Sequence, residues 1–259
     1  MGKEFYLLYH RGFCHSFFGG LLLSIILTGL FRFFDKDFSW LRSLCLSYSL
    51  VCLHLFLDVI TSYGTQLFAP FSNYRCAIPC VFIIDFFLTG VLISGVVFAL
   101  WQTNKRKMIA LGCVCFILIY PLFGKMIQYI QLERTKTVLQ MNYQDIYVLP
   151  DFLAPFYWKV IVDKGSHYEL RHLSLFCVLE MYPAYIFDKA NLNKYVQQIQ
   201  NSLLTTYAWF VDYPAVLTRK NNTIRVIDLK FLSAIPWLNQ SDYIPFTLSI
   251  YPDNKCILK

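Results

Sequence analysis

His54 and Asp58 stand four residues apart in an apolar stretch, so a helix would put them on one face. An imidazole and a carboxylate at that spacing can reach a common metal ion, and ionisable groups inside membrane helices mark sites by default. His15 opens an earlier apolar run, and Asp85 lies about eight residues into a later one, roughly 12 Å along a helix. If the runs cross a bilayer in turn, all four residues fall in the same half of it. His10 precedes His15 in a more polar segment. Beyond Asp58 comes Thr61-Ser62-Tyr63-Gly64-Thr65, then Pro70-Phe71-Ser72 and Arg75. Hydroxyls there could hydrogen-bond to metal ligands, and Arg75 could hold an anionic group. The same residues also have plainer uses. His54 and Asp58 could staple a bundle, Asp85 could pair with a hydroxyl, Gly64 could close a turn, and His10 could be a solvated loop residue.

The elements that must position these groups are apolar. The chain has 259 residues, 57% hydrophobic and 15% charged, against roughly 25% charged in soluble domains. Mean hydropathy is +0.47. Four runs, Phe17–Phe31, Leu41–Ile60, Ala77–Trp101 and Met108–Phe123, predict about four transmembrane helices in a bundle over 1–123. A helix needs about 20 residues to cross the hydrocarbon core, so the first and fourth must borrow flanking residues. Residues 124–142 read as a connecting helix leaving the bilayer.

From there the pattern changes to short Val-, Ile-, Tyr- and Phe-rich stretches bounded by turn residues. These are 145–149, 157–162, 167–179, 223–229 and 246–251, with one amphipathic helix over 192–203. They predict a small α+β extramembrane domain over 143–259. His167 and His172 are five apart in a strand and would face opposite sides of the sheet, which argues against a joint metal site.

The net charge of +7 is scattered between the apolar runs, which suits topology signals better than nucleic acid. Arg32, Lys36 and Arg42 follow the first run, and Lys105, Arg106 and Lys107 follow the third; only Arg75 lies between the second and third. That bias puts the N-terminus and the C-terminal domain on the outer face. There is no G-x-S-x-G elbow, phosphate-binding loop or dinucleotide fingerprint. The nine cysteines form no C-x-x-C; five lie in or beside apolar runs, and most read as small buried hydrophobes.

His10-Arg11-Gly12-Phe13-Cys14-His15-Ser16, followed by His54-x-x-x-Asp58-x-x-Thr61-Ser62-Tyr63-Gly64-Thr65 with Pro70-Phe71-Ser72 and Arg75, resembles the YdjM-type bacterial inner-membrane proteins, described as membrane-bound metal-dependent hydrolases. Phe82-Ile83-Ile84-Asp85 sits where that family places an acidic residue. The resemblance implies a divalent metal, zinc foremost, on His15, His54 and Asp58, with His10 a further ligand and Asp85 a ligand or base. Arg75, Thr61, Ser62, Tyr63 and Thr65 would orient a substrate, and a site at membrane depth suggests a lipid-linked or amphipathic one. The family pattern has Thr at the place of Cys14, and a further upstream segment with a His motif and a Pro-Asp-x-Asp motif, which implies a chain shortened at its N-terminus. Hydrolysis is one expectation. The alternative is a catalytically degenerate membrane scaffold or partner-binding protein, and a small transporter is a weaker third, since no repeat is evident.

Overall fold

The computed structural model describes residues 3–34, 37, 39–141, 143–176, 184–220, 223–236, 238 and 244–259. The end of the expected connecting helix at Asn142 falls outside them. By its contacts the chain divides into two units, Met1–Pro79 and Cys80–Lys259.

The first unit holds a short helix α1 (Lys3–Tyr9), a single tight turn at Phe13–His15, and two long helices, α2 (Phe17–Phe34) and α3 (Trp40–Val59). The long pair packs as a helical hairpin. The contact surface is made of small residues. Gly19, Gly20, Ser24 and Thr28 are the buried residues of α2, and Ser43 and Ser47 are buried on α3. A methyl group on Gly20 would stand 2.6 Å from Val51 Cγ1, so only glycine permits this approach. Ser24 Oγ donates to Gly20 O at 2.8 Å and Thr28 Oγ1 to Ser24 O at 2.8 Å. Each hydroxyl is satisfied within its own helix, as a bilayer requires. Small residues every fourth position are the usual contact of membrane helices, because lipid gives apolar side chains no reason to prefer each other.

The second unit begins with a non-helical segment and α4 (Phe86–Trp101), followed by the 34-residue α5 (Arg106–Leu139). Here the expected spans need correction. Three helices, Phe17–Phe34, Trp40–Val59 and the one through Leu139, are long and apolar enough to cross a membrane. The third apolar run is not helical from Ala77. Pro79 interrupts it, and its helix starts after Asp85, whose carboxylate accepts from Leu88 N at 2.8 Å as an N-cap. The remaining 16 residues measure about 24 Å, short of the hydrocarbon thickness. The fourth run is longer than its apolar stretch: the helix passes through Pro121 and continues to Leu139. Gly124 lets α5 approach the preceding segment, since a Cβ there would meet the Cys80 carbonyl.

Two four-stranded antiparallel sheets follow. The first runs β1 (Ile146–Pro150), β2 (Tyr157–Asp163), β3 (His167–Ser174) and β4 (Tyr185–Asp188) in order. The second runs β5 (Pro214–Lys220), β6 (Thr223–Asp228), β7 (Leu248–Ile250) and β8 (Cys256–Leu258). An isolated bridge between Lys189 and Ala215 links them. Strand β2 is buried on both faces. Trp158, Val160 and Val162 pack with Ile127, Leu132 and Val138 of α5. Ile161 packs with Leu170, Ile227 and Leu229, joining the two sheets in one core. The strand expected over 167–179 ends at Ser174, and 177–179 lie outside the described residues. The helix expected over 192–203 is two helices, α6 (Leu192–Ile199) and α7 (Ser202–Phe210). Gln200, at φ 46, ends the first, and Asn201 caps the second through Leu204 N at 3.2 Å. Strands β4, β5 and β8 lie outside the stretches that the sequence marks as β-like. The outcome is a membrane helical region with an α+β domain, as composition predicts, with three spans clearly long enough.

Candidate metal centre

Asp58 lies in the last turn of α3, and His15 stands just before α2, at the same end of the hairpin. Their side chains meet. His15 Nδ1 is 2.7 Å from Asp58 Oδ2. His54, one turn earlier on α3, brings Nε2 to 3.2 Å from His15 Nδ1 and 3.7 Å from Asp58 Oδ2. The three atoms form a small triangle. Tetrahedral zinc with ligands at about 2.0–2.1 Å would set neighbouring ligand atoms roughly 3.3 Å apart, so this triangle is close to the size a metal needs. The donor types also fit, and among the described residues this is the group that could hold an ion. Burial is graded across it. The Asp58 side chain is 9% exposed, His15 30% and His54 58%. One side is therefore sealed and the other open, which would leave room for a further ligand.

The sealed side belongs to Arg11, which in the sequence stands only as a member of the His10–Ser16 motif with no role of its own. Its Nη2 is 3.3 Å from Asp58 Oδ1, while Nη1 donates to Asp58 O at 3.1 Å and to Thr61 Oγ1 at 2.6 Å. Thr61 Oγ1 in turn donates to Asp58 O at 2.8 Å. Holding Oδ1 from behind fixes the carboxylate with Oδ2 toward both imidazoles. Arg11 itself is bent into place at φ 54, in the left-handed region that a non-glycine residue adopts at a cost. Its carbonyl accepts from Gln66 N at 3.0 Å, and Gln66 Nε2 donates to Leu8 O at 2.8 Å. Gln66 thus ties the loop after α3 to the chain before α2. No signal within ten residues of Arg11 marks it as a partner of Asp58, 47 positions away.

Tyr63 is buried under Arg11, whose guanidinium lies 5.0 Å from the ring centroid, with that of Arg75 at 5.7 Å. Arg75 Nη2 also donates to Tyr63 O. Burial pushes the Tyr63 phenol up, so it stays neutral. His10 stacks on Tyr6 at 4.6 Å and meets Tyr63 edge-on at 4.9 Å. Burial, followed by the charges of Arg11 and His15, pushes its imidazole below the ordinary range, with Asp58 pulling the other way. His10 stands outside the triangle. Ser62 and Thr65 are buried in the same loop, and Thr65 forms a backbone ladder pair with Cys76 at 2.9 Å in each direction. Gly64, at φ 89, sits five residues past the end of α3 in that loop and takes the left-handed turn against Arg75.

Asp85 belongs to the second unit. Besides capping α4, it accepts from Tyr120 Oη at 2.8 Å, joining α4 to α5. Both of its oxygens are engaged in holding helices. In the β domain, His167 is half-exposed beside Ser166, while His172 is buried against Tyr157. They alternate across the sheet as expected.

The chain matches the YdjM inner membrane protein family over residues 1–130, which includes every residue of this centre. It is also similar to the uncharacterized protein YfhP of Bacillus subtilis (strain 168), 22% identical over 235 residues that cover 88% of this chain and 70% of that protein. No solved structure matches it. The match spans half of the chain, and the chain belongs to the YdjM inner membrane protein family.

Proposed function

We propose that this protein is a membrane-bound metal-dependent hydrolase acting on a lipid-linked substrate, with its metal centre and C-terminal domain on the outer face of the inner membrane. The observation that carries the reading is the triangle of His15 Nδ1, His54 Nε2 and Asp58 Oδ2, with sides of 2.7, 3.2 and 3.7 Å. These three atoms would hold a divalent ion, zinc by its preference for nitrogen and carboxylate ligands. Such an ion, when bound, lowers the pKa of water to about 7 and polarises a substrate oxygen. The chain's own residues do the rest. Arg11 keeps Asp58 Oδ2 turned to the open side. Thr61 fixes Arg11. Half-exposed His54 leaves the approach free, and Arg75, held against Tyr63, would meet an anionic portion of the substrate.

The rival reading is a catalytically degenerate scaffold, and one observation favours it: Arg11 already neutralises Asp58 without a metal. Metal content separates the two. We expect about one zinc or manganese per chain in detergent-purified protein by mass spectrometry, and none in a His54→Ala/Asp58→Ala double variant. Equal metal in both, or none in either, would leave the scaffold reading standing.

A further inference from the structure

The loop that closes the metal centre carries aromatic side chains pointing away from it. Thr65 and Cys76 pair by two backbone hydrogen bonds of 2.9 Å and shut the segment between them into a compact loop. Within it Phe68 is 51%, Phe71 83% and Tyr74 70% exposed. In a soluble surface loop such exposure would be costly, at about 25 cal/mol for each Å² of apolar surface. The loop does not wave free. Phe17 N donates to Leu67 O at 3.0 Å. The Phe68 ring lies 6.1 Å from Phe17, and the Phe71 ring 5.9 Å from Phe18. Phe17 and Phe18 form the first turn of α2 and are themselves more than 40% exposed. The exposed aromatic surface is therefore continuous with the outer face of a helix long and apolar enough to span a bilayer. It is also at that helix's end, where aromatic side chains collect at membrane–water boundaries.

We propose that Phe68, Phe71 and Tyr74, with Phe17 and Phe18, form a rim that inserts into the interfacial layer of the bilayer and seats the His15/His54/Asp58 centre at the edge of the leaflet. The occupant of this surface is lipid. Because Gln66 binds both Arg11 O and Leu8 O, the rim and the metal centre move as one body. A rim fixed in the leaflet holds the open side of the centre at headgroup level. The substrate class that follows is an amphiphile whose tail stays in the membrane while its polar head reaches His54; this second step rests on the hydrolase reading, whereas the lipid contact does not.

The test puts 4-trifluoromethylphenylalanine in place of Phe71 in the full chain, reconstituted in phosphatidylcholine–phosphatidylglycerol nanodiscs and followed by fluorine NMR. The same label at Ile26, 61% exposed and midway along α2, calibrates the bilayer centre. Nitroxide on the lipid headgroup should broaden the Phe71 signal more than nitroxide at the acyl chain end, and the Ile26 label should show the reverse order. A water-soluble nickel chelate should leave both sharp. Broadening of the Phe71 signal by the nickel chelate alone would overturn the proposal. So would protection from nickel and both nitroxides, which would mean that protein covers the rim. Neither result depends on metal content. Lipid contact without bound metal would therefore retain the rim and remove only the amphiphilic substrate.

Discussion

Asp58 and Asp228 are both buried carboxylates with a cation beside them, yet their surroundings differ in kind. Asp228, at the end of β6, is fully buried and accepts from the backbone of Asp212 at 2.8 Å, Tyr213 at 3.2 Å and Lys230 at 3.1 Å. Lys230 Nζ stands 3.2 Å away, is as buried as Asp228, and packs over the rings of Phe210 and Phe231. Asp58 is held by side chains alone: Arg11 on one oxygen, His15 and His54 on the other. Main-chain donors cannot leave without unfolding the turn that carries them. Imidazoles can rotate, change proton, or take a metal in place of a hydrogen bond. The first arrangement is a fastening, and the second is one that a ligand can enter.

That contrast can be broken by stability. Asp228→Ala leaves Lys230 Nζ with Asp212 Oδ2 at 2.6 Å but removes the acceptor for three amides, and should cost the β domain about 3 kcal/mol. Asp58→Ala leaves Arg11 with the Asp58 carbonyl and Thr61 Oγ1, and should cost the hairpin about 1 kcal/mol. Hydrogen-exchange mass spectrometry on the reconstituted protein reads both regions at once. Equal losses of protection in the two regions would show that Asp58 is as much a fastening as Asp228.

A second variant sharpens the same point from the cation side. Lys159 is fully buried in β2, and its Nζ donates to Lys230 O and Leu232 O, both at 2.7 Å. It ties the first sheet to the turn after β6. Lys159→Met keeps most of the volume but strands two carbonyls, so a loss of about 2 kcal/mol is expected, confined to the β domain. Metal content of the purified protein should not change. A drop in bound metal would show that the centre depends on this staple.

The centre and the staples were not equally legible from sequence. His54 and Asp58 share a helix face by spacing alone, and the order of the apolar runs brings His15 to the same end. Arg11 escaped because its role is set by a left-handed backbone turn and a partner 47 residues on, neither of which leaves a local pattern. The third apolar run misled because hydropathy counts side chains, whereas Pro79 and the capping carboxylate of Asp85 decide where the backbone can be helical. In the β domain, β2 was visible as a Val- and Ile-rich run. Strand β5 begins at Pro214 and β8 holds three residues, so both were lost among turn signals. Lys159 and Lys230 sit at strand and turn positions where charge reads as surface. Their burial follows from two sheets closing on one core, which no single segment encodes.

The smallest effect concerns the imidazoles themselves. His172 lies on β3, 4% exposed, opposite Lys159 in the β2 register and against the Tyr157 ring. Burial pushes its pKa below the ordinary value, with Asp151 working weakly the other way. The folded domain therefore holds fewer protons than the unfolded chain once the pH drops below the unfolded imidazole pKa of about 6.5. Stability is then lost as the pH falls from that point, and the loss levels off below the folded-state pKa. Above about pH 7 the group is neutral in both states and contributes no slope. Exchange protection of β2 and β3 at pH 7.5 and 5.5 should fall in the parent protein and fall less in His172→Gln. His167→Gln, at the half-exposed start of the same strand, should retain the parent's slope. If His172→Gln keeps it too, the buried imidazole is not what the acid slope reports, and the difference between a sealed histidine and the open pair at Asp58 would have to be sought in geometry alone.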